Sequence, residues 1–255
     1  MVQQFMKSSN LNSLEKLSYK KVQLDLDPLV FNNCQTLTQL HISAVKLDLH
    51  DMKLICNNLL ELSRLTLIDC SLENDIITFL CQNLTSKIKY LFMYLNRTES
   101  DPQPTNVSQD QITALGQKCP NLEDFFLGGE EYTLSESTLD AIIDNLRSLV
   151  NLRLPEYRSE YSKLVRVSTM PKLKNLNIFT MTAAYYLDKF RERDEHLLRS
   201  LRKDMPQLDI NTGRFDTASP FNSSNSNSGL WEISCKELAH FILKVEHIEG
   251  VENKW

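Results

Sequence analysis

The sequence predicts an α/β fold, a curved solenoid whose repeated units place a parallel β-sheet on the inner, concave face and helices on the outer, convex face. Two observations predict it. A step of apolar residues spaced three and then two positions apart recurs along the chain. Segments with helical periodicity separate the successive copies. Because one unit cannot bury its own apolar face, neighbouring units are expected to stack and share a continuous core.

The repeat step is clearest in "CPNLEDFFL", where Leu122, Phe125 and Leu127 carry it. Neither an amphipathic helix nor a strand with one buried face has this spacing. Seven copies begin at positions 14, 37, 62, 88, 122, 149 and 173, so the successive spacings are 23, 25, 26, 34, 27 and 24 residues. All but one fall within the period of about 20–29 residues that is typical of leucine-rich repeats. The longest spacing contains the polar, proline-containing segment 98–108, which we interpret as a loop insertion.

The segments between the steps predict the helices. "SLENDIITFLCQNL" and "SESTLDAIIDNLRSL" each place their apolar residues on one helical face. Ser108 and Gln111 have the spacing of a capping box, and Asp51 is a candidate cap for the helix in "DMKLICNNLL". Within each unit, Leu122 and its equivalents are expected to anchor the turn that leads into a short strand.

Three segments resemble a known family. "CPNLEDFFL", "MPKLKNLNI" and "LTLIDCSL" resemble the cysteine-containing leucine-rich repeats of F-box proteins, which are related to the repeats of ribonuclease inhibitor. The resemblance covers about residues 11–210. It implies a ladder in which a Cys or Asn, three residues after the last strand leucine, bonds neighbouring backbone groups. Cys70 and Asn96 stand at that position, whereas the other copies hold other residue types there.

One feature of F-box proteins is missing from this sequence. They carry a helical module that docks a Skp-type adaptor, and the N-terminal segment "MVQQFMKSSNLNSLEKLSYKK" is too short and too polar to form one. We therefore interpret the chain as a fragment or a diverged relative, or as a protein whose repeats serve another system.

The composition excludes several classes of function. The 255 residues carry a formal net charge of −5, which provides no basic surface for nucleic acid. No stretch approaches 18 apolar residues, and the N-terminus lacks the pattern of a signal peptide. Six cysteines without such a signal argue against a disulfide framework. We expect a monomer of the cytoplasm or nucleus, with neither nucleic acid nor membrane as a partner.

The sequence nominates no catalytic, cofactor-binding or metal-binding residue. It contains no phosphate-binding glycine loop, no Cys-x-x-Cys pair and no nucleophile elbow. Its five histidines are scattered, and only His41 and His50 could meet across one repeat, without a third ligand. We therefore predict a protein that is not an enzyme and has no cofactor.

The residues between the strand leucines are predicted to point to the concave side, because successive strand side chains alternate. The middle copies bring several aromatic and charged residues to this side. Grouped, exposed aromatics are typical of protein-binding hot spots. Two alternatives remain open: a register slip of one residue would turn these side chains inward, and the C-terminal tail could cover them. The candidate partner-binding residues are Arg64, Tyr90, Phe92, Tyr94, Asp124, Phe126 and Arg153.

Composition divides the chain into three segments. Residues 1–210 form the repeat domain, and residues 211–229 are a Ser/Asn-rich stretch that predicts a flexible linker. Residues 230–255 contain apolar residues at helical spacing and predict a C-terminal helix. This helix could cap the last repeat, fold onto the concave face or bind another protein through Trp231.

Two classes of function agree with the sequence. The favoured one is a non-catalytic recognition module, similar to the substrate-binding part of F-box receptors in SCF-type ubiquitin ligases. The alternative is a regulator that binds and masks an enzyme or GTPase, as ribonuclease-inhibitor-like repeats do. The first predicts co-purification with ubiquitin-ligase subunits, and the second predicts a stoichiometric enzyme partner.

Overall fold

The computed structural model describes residues 16–20, 34–43, 46–96, 107–129, 134–154, 164–180 and 199–214. The chain divides into two compact units, Met1–Thr212 and Gly213–Trp255. Nearly all of the described residues belong to the first unit.

The first feature of the fold is a single eight-stranded sheet whose strands follow one another in chain order. Each neighbouring pair from the first strand to the seventh is parallel. The α/β class and the parallel sheet are therefore confirmed. The strands are β1 (Lys16–Lys20), β2 (Gln39–Ser43), β3 (Arg64–Ser71), β4 (Tyr90–Asn96), β5 (Asp124–Gly129), β6 (Asn151–Leu154), β7 (Asn175–Thr180) and β8 (Asp209–Arg214).

Helices alternate with the strands in the middle of the chain. One α-helix lies in each connection from β2 to β6, and a short 3-10 helix, Val165–Thr169, lies between β6 and β7. Residues 199–204 are also helical. The α-helices are α1 (Leu49–Asn58), α2 (Asn74–Asn83), α3 (Gln109–Lys118) and α4 (Glu136–Asn145).

A tight turn before the strand explains the three-then-two spacing of the repeat. The backbone N–H of Leu122 donates to the carbonyl of Cys119 at 3.1 Å, and Leu122 is buried. The prediction that Leu122 anchors this turn is confirmed. The equivalent bond closes the turn before every strand from β2 to β8, with Leu37, Leu62, Ile88, Leu149, Leu173 and Leu208 as the other donors.

A second recurrent backbone contact joins each unit to the next. The carbonyl of Lys89 accepts hydrogen bonds from the N–H groups of Glu123 and Asp124, at 2.8 and 2.9 Å. The carbonyls of Thr38, Ser63, Glu123 and Val150 each accept two bonds from the next unit in the same way. Because this contact recurs, strands β2 to β7 enter the sheet in equivalent register.

One continuous core lies between the sheet and the helices. Leu91 and Met93 of β4 and Ile77 and Leu80 of α2 are fully buried in it. The corresponding leucines of the other units belong to the same cluster. The core-facing set is therefore the set that the sequence predicts, and a register slip of one residue is excluded for β2 to β7.

The helix starts confirm one predicted cap and correct another. Ser108 and Gln111 form the predicted capping box at α3. Asp51, however, does not cap α1, because the helix begins earlier, at Leu49, with Asp48 as its N-cap. The Asp48 side chain accepts from the Asp51 N–H at 2.9 Å, and the Asp51 side chain accepts from the Asp48 N–H at 3.0 Å. Asp51 is thus the inner member of the box.

The last described strand, β8, spans Asp209–Arg214. Residues 211–214, which the sequence assigns to the linker, therefore continue a strand. The rest of the predicted linker and the predicted helix at 230–255 lie outside the described residues, as does most of the insertion at 98–108.

Candidate functional site

The candidate site lies on the face of the sheet opposite the core, which we call the helix-distal face. Because the strands are in register, equivalent side chains of successive strands form rows across this face. The first row contains Gln39, Arg64, Tyr90, Asp124, Asn151 and Asn175. The second row contains His41, Thr66, Phe92, Phe126, Arg153 and Asn177.

Asp124 is the centre of a hydrogen-bond network across three strands. Its Oδ2 accepts from Nη2 of Arg153 and from Nδ2 of Asn151, both at 3.1 Å. Asn175 extends the network by donating to Oδ1 of Asn151. These bonds fix the position of the Arg153 guanidinium, because its partner is itself held by a second donor.

Tyr90 lies between the two arginines of the site. The guanidinium carbon of Arg64 is 4.7 Å from the centre of the Tyr90 ring, and that of Arg153 is 5.8 Å from it. Arg153 also donates from Nη1 to the Tyr90 hydroxyl at 3.3 Å. The ring therefore orients both cations through cation–π contacts, and one of them through a hydrogen bond as well.

Burial sets the electrostatics of Asp124. The side chains of Asp124 and Arg153 are only 14% and 13% exposed. Burial raises the pKa of Asp124 above its ordinary value, although Arg153, the Asn151 hydrogen bond and Arg64 act in the opposite direction. Among the described residues, Oδ1 of Asp124 is buried and accepts no hydrogen bond. The carboxylate is thus costly to ionise, and Arg153 is its compensating charge.

Three of the four predicted aromatic contact residues are buried. Phe92, Phe126 and Tyr94 are 8%, 2% and 1% exposed, so the expectation that they are exposed is wrong. The rings of Phe92 and Phe126 stack with centroids 4.2 Å apart and planes inclined by 16°. Phe126 also lies over Gly128, where a Cβ atom would stand 2.8 Å from Cζ of the ring. The rings cover one another, and Gly128 leaves room for the stack.

The structure thus separates the seven predicted site residues into two groups. Phe92, Tyr94 and Phe126 are buried, and the first and last of them stack on each other. The half-buried residues of the surface are Arg64, Tyr90, Asp124 and Arg153. Asn151 and Asn175 belong to the same network but are absent from the predicted site. Their position in the first row could have identified them from the sequence, because it aligns both residues with Asp124.

The described residues contain no group of three or more His, Cys, Asp and Glu side chains that could hold a metal ion. His50 is exposed on α1 while His41 lies on the helix-distal face, and neither belongs to such a group. The described cysteines are buried and do not form disulfides. Burial raises the pKa of Cys56, Cys81 and Cys119 to about 12, so these thiols are protonated at neutral pH.

None of the helices in the described segments is both long and apolar enough to cross a membrane. No protein-family model matches the chain, and no curated protein matches it.

Proposed function

We propose that this chain is a non-catalytic protein-recognition module of the leucine-rich-repeat class, similar to the substrate-binding part of F-box ubiquitin-ligase receptors. The observation that carries the proposal is the half-buried group of charged and aromatic side chains on the helix-distal face. Arg64, Tyr90 and Arg153 come from three different strands and are oriented by mutual contacts. We further propose that it acts without a cofactor, in the cytoplasm or nucleus.

The repeat geometry supports the leucine-rich-repeat assignment. The Sγ atom of Cys70 donates to the carbonyl of Ile42 in the preceding unit at 3.6 Å, and it is 3.5 Å from the carbonyl of Ile68. This is the backbone bonding that the resemblance implies for a Cys at that position. The recurrent turn before each strand supports the assignment in the same way.

The construction of the surface supports recognition. Tyr and Arg are enriched among the residues that dominate protein interfaces, because they combine large contact area with directional donors. Here the arginines are already oriented before a partner arrives, which lowers the entropy cost of binding. The buried stack of Phe92 and Phe126 lies on the same two strands as Tyr90 and Asp124, two residues further along each strand.

The test is affinity capture from the cells that make the protein, with the wild-type chain beside an Arg64→Ala/Tyr90→Ala variant. Phe92 and Phe126 are left intact, because their burial would make their loss a test of folding. Lys53→Ala, an exposed site on α1, is the matched control.

We expect the double variant to lose a major partner that the wild type and the control both retain. Ubiquitin-ligase subunits among the partners would support the receptor proposal, whereas a stoichiometric enzyme or GTPase would favour a masking regulator. A set of partners that does not differ between the three chains would contradict recognition by the helix-distal face.

A further inference from the structure

We propose that Asn151 is a positioning residue of the helix-distal face. It acts on a partner through Asp124, which holds the Arg153 guanidinium against Tyr90, and not by contact with the partner itself. This inference rests on the proposed function, since it assigns a role within the same surface. Three observations carry it: the direction of the hydrogen bonds, the sharing of one carboxylate oxygen and the burial of the ion pair.

The two hydrogen bonds of the Asn151 side chain run in the same direction across the sheet. Nδ2 of Asn175 on β7 donates to Oδ1 of Asn151 on β6, and Nδ2 of Asn151 donates to Oδ2 of Asp124 on β5. A carboxamide has an acceptor on one side and donors on the other. A reversed Asn151 amide would therefore place donor against donor on one side and acceptor against acceptor on the other. The two neighbours together select the orientation in which Asn151 donates to Asp124.

Asp124 passes this constraint to Arg153, because one carboxylate oxygen serves both donors. Oδ2 accepts from Asn151 and from Nη2 of Arg153, whereas Oδ1 accepts no hydrogen bond among the described residues. The bond from Asn151 therefore fixes the oxygen with which Arg153 pairs. Arg153 in turn donates from Nη1 to the Tyr90 hydroxyl. A series of hydrogen bonds thus connects Asn151 on β6 with Tyr90 on β4.

Burial makes the ion pair sensitive to the Asn151 donor. The side chains of Asp124 and Arg153 are 14% and 13% exposed, so water replaces a lost partner poorly. Burial raises the pKa of Asp124, whereas the charge of Arg153, the hydrogen bond from Asn151 and the charge of Arg64 lower it. Loss of the Asn151 donor should therefore raise the pKa of Asp124 further. A protonated Asp124 no longer holds Arg153 as an ion pair, and Arg153 is then less firmly placed against Tyr90.

The first experiment requires no partner. A fluorotyrosine replaces Tyr90 in the full chain, and its fluorine NMR resonance is followed as pH is lowered from neutrality. We expect the resonance to respond when Asp124 is protonated, and Asp124→Asn to abolish that response. In Asn151→Leu the midpoint should move to higher pH, because the donor that favours the ionised carboxylate is lost.

Two further variants control this titration, and circular dichroism confirms that every chain is folded. Asn151→Gln keeps an amide donor and should move the midpoint less than Asn151→Leu does. Asn177→Leu makes the same change on the neighbouring strand β7, at a half-buried residue outside the network, and should leave the midpoint unchanged. A midpoint that is equal in wild type and Asn151→Leu would overturn the proposal, as would an equal shift in Asn177→Leu.

The second experiment measures binding. A peptide is selected by phage display on the wild-type chain and is kept if it fails to bind Tyr90→Ala, and fluorescence anisotropy gives its affinity for each variant. We expect Asn151→Leu to weaken binding about fivefold or more, but less than about twofold when Arg153→Met has already removed the group through which Asn151 acts. Equal losses in both backgrounds would show that Asn151 contacts the peptide directly, and would overturn the positioning role.

The outcomes separate this inference from the proposed function. If peptides or cellular partners depend on Tyr90 but Asn151→Leu changes neither the midpoint nor the affinity, only the positioning role is wrong. If neither a selected peptide nor a cellular partner depends on Tyr90, the proposed function is wrong and this inference is wrong with it.

Discussion

Phe125 and Phe126 are neighbours in β5, have the same side chain and are almost equally buried, yet they lie on opposite faces of the sheet. Phe125 is fully buried in the continuous core between sheet and helices. Phe126 lies on the helix-distal face, outside that core cluster, and stacks on Phe92. The comparison shows that alternation along a strand determines which side a residue faces, whereas its exposure depends on what neighbouring strands place beside it.

The same contrast holds for the two faces as a whole. The core face is stabilised by the hydrophobic effect. This contribution does not depend on the orientation of the groups and is proportional to the apolar area that is buried. The helix-distal face is held by charged hydrogen bonds centred on Asp124 and Arg153, which fail if either partner is removed. Substitutions on the two faces should therefore differ in kind as well as in size.

The largest effect is expected for Phe125→Ala. Loss of a fully buried ring should lower the free energy of unfolding by about 3–5 kcal/mol, because both transfer and cavity terms are lost in a core closed by helices. Urea unfolding followed by circular dichroism measures the change. A loss below about 1 kcal/mol would mean that this side of β5 does not face the core.

Phe126→Ala should have the next largest effect. We expect a loss of about 2–3 kcal/mol in the same assay, less than for Phe125 because the cavity would open on the helix-distal face and could relax. The sequence-based expectation of an exposed ring predicts a change within about 0.5 kcal/mol instead. The measured value therefore decides whether the stack with Phe92 is structural.

Gly128→Ala tests why that stack forms. The added Cβ atom would meet Cζ of Phe126 at 2.8 Å, so we expect a loss of about 1–3 kcal/mol from overpacking. Replacing the ring by Phe126→Leu should relieve the clash, and a double-mutant cycle should show coupling between the two sites. Strictly additive losses would show that Gly128 is required for some other reason.

The smallest effect concerns the pH dependence conferred by Asp124. Its pKa in the folded state lies above its ordinary value of 3.8, so the folded state binds this proton more tightly than the unfolded state. The contribution of Asp124 to stability is therefore present below that ordinary value and is lost as pH rises through the folded-state pKa. Relative to Asp124→Asn, the wild type should lose stability over this range.

Urea unfolding of both chains across this range measures the difference. Asp144→Asn, which removes an exposed carboxylate from α4, controls for the loss of a charge. A wild type that instead becomes more stable relative to Asp124→Asn as pH rises would show that the ion pair with Arg153 outweighs burial.

Much of the fold could be predicted from the sequence because the three-then-two spacing reflects both the turn before each strand and the core-facing residues of the strand. Leu122 closes a turn, and Phe125 and Leu127 follow it into the core, so the step of three and then two identifies strand, register and buried face together. The first residue of α1 could not be predicted from the sequence. Asp48 and Asp51 bond each other reciprocally, and the sequence alone does not distinguish the N-cap from the inner member of the box.

The candidate site was predictable only in part, for a physical reason. The rows follow from alternation, and they correctly group Arg64, Tyr90, Asp124 and Arg153 on one face. The burial of Phe126 depends on the stack with Phe92 and on the space above Gly128. The stack joins two strands whose repeat units begin 34 residues apart, so no local sequence pattern predicts it.

The most direct test of the central claim, that the helix-distal face is the recognition surface, is site-specific photo-crosslinking in the cells that make the protein. A photoreactive phenylalanine analogue replaces Tyr90 in one chain and Lys53 of α1 in another, and circular dichroism confirms that both chains are folded. The account predicts that a specific partner is crosslinked from position 90 and not from position 53. A partner crosslinked from position 53 alone would contradict it.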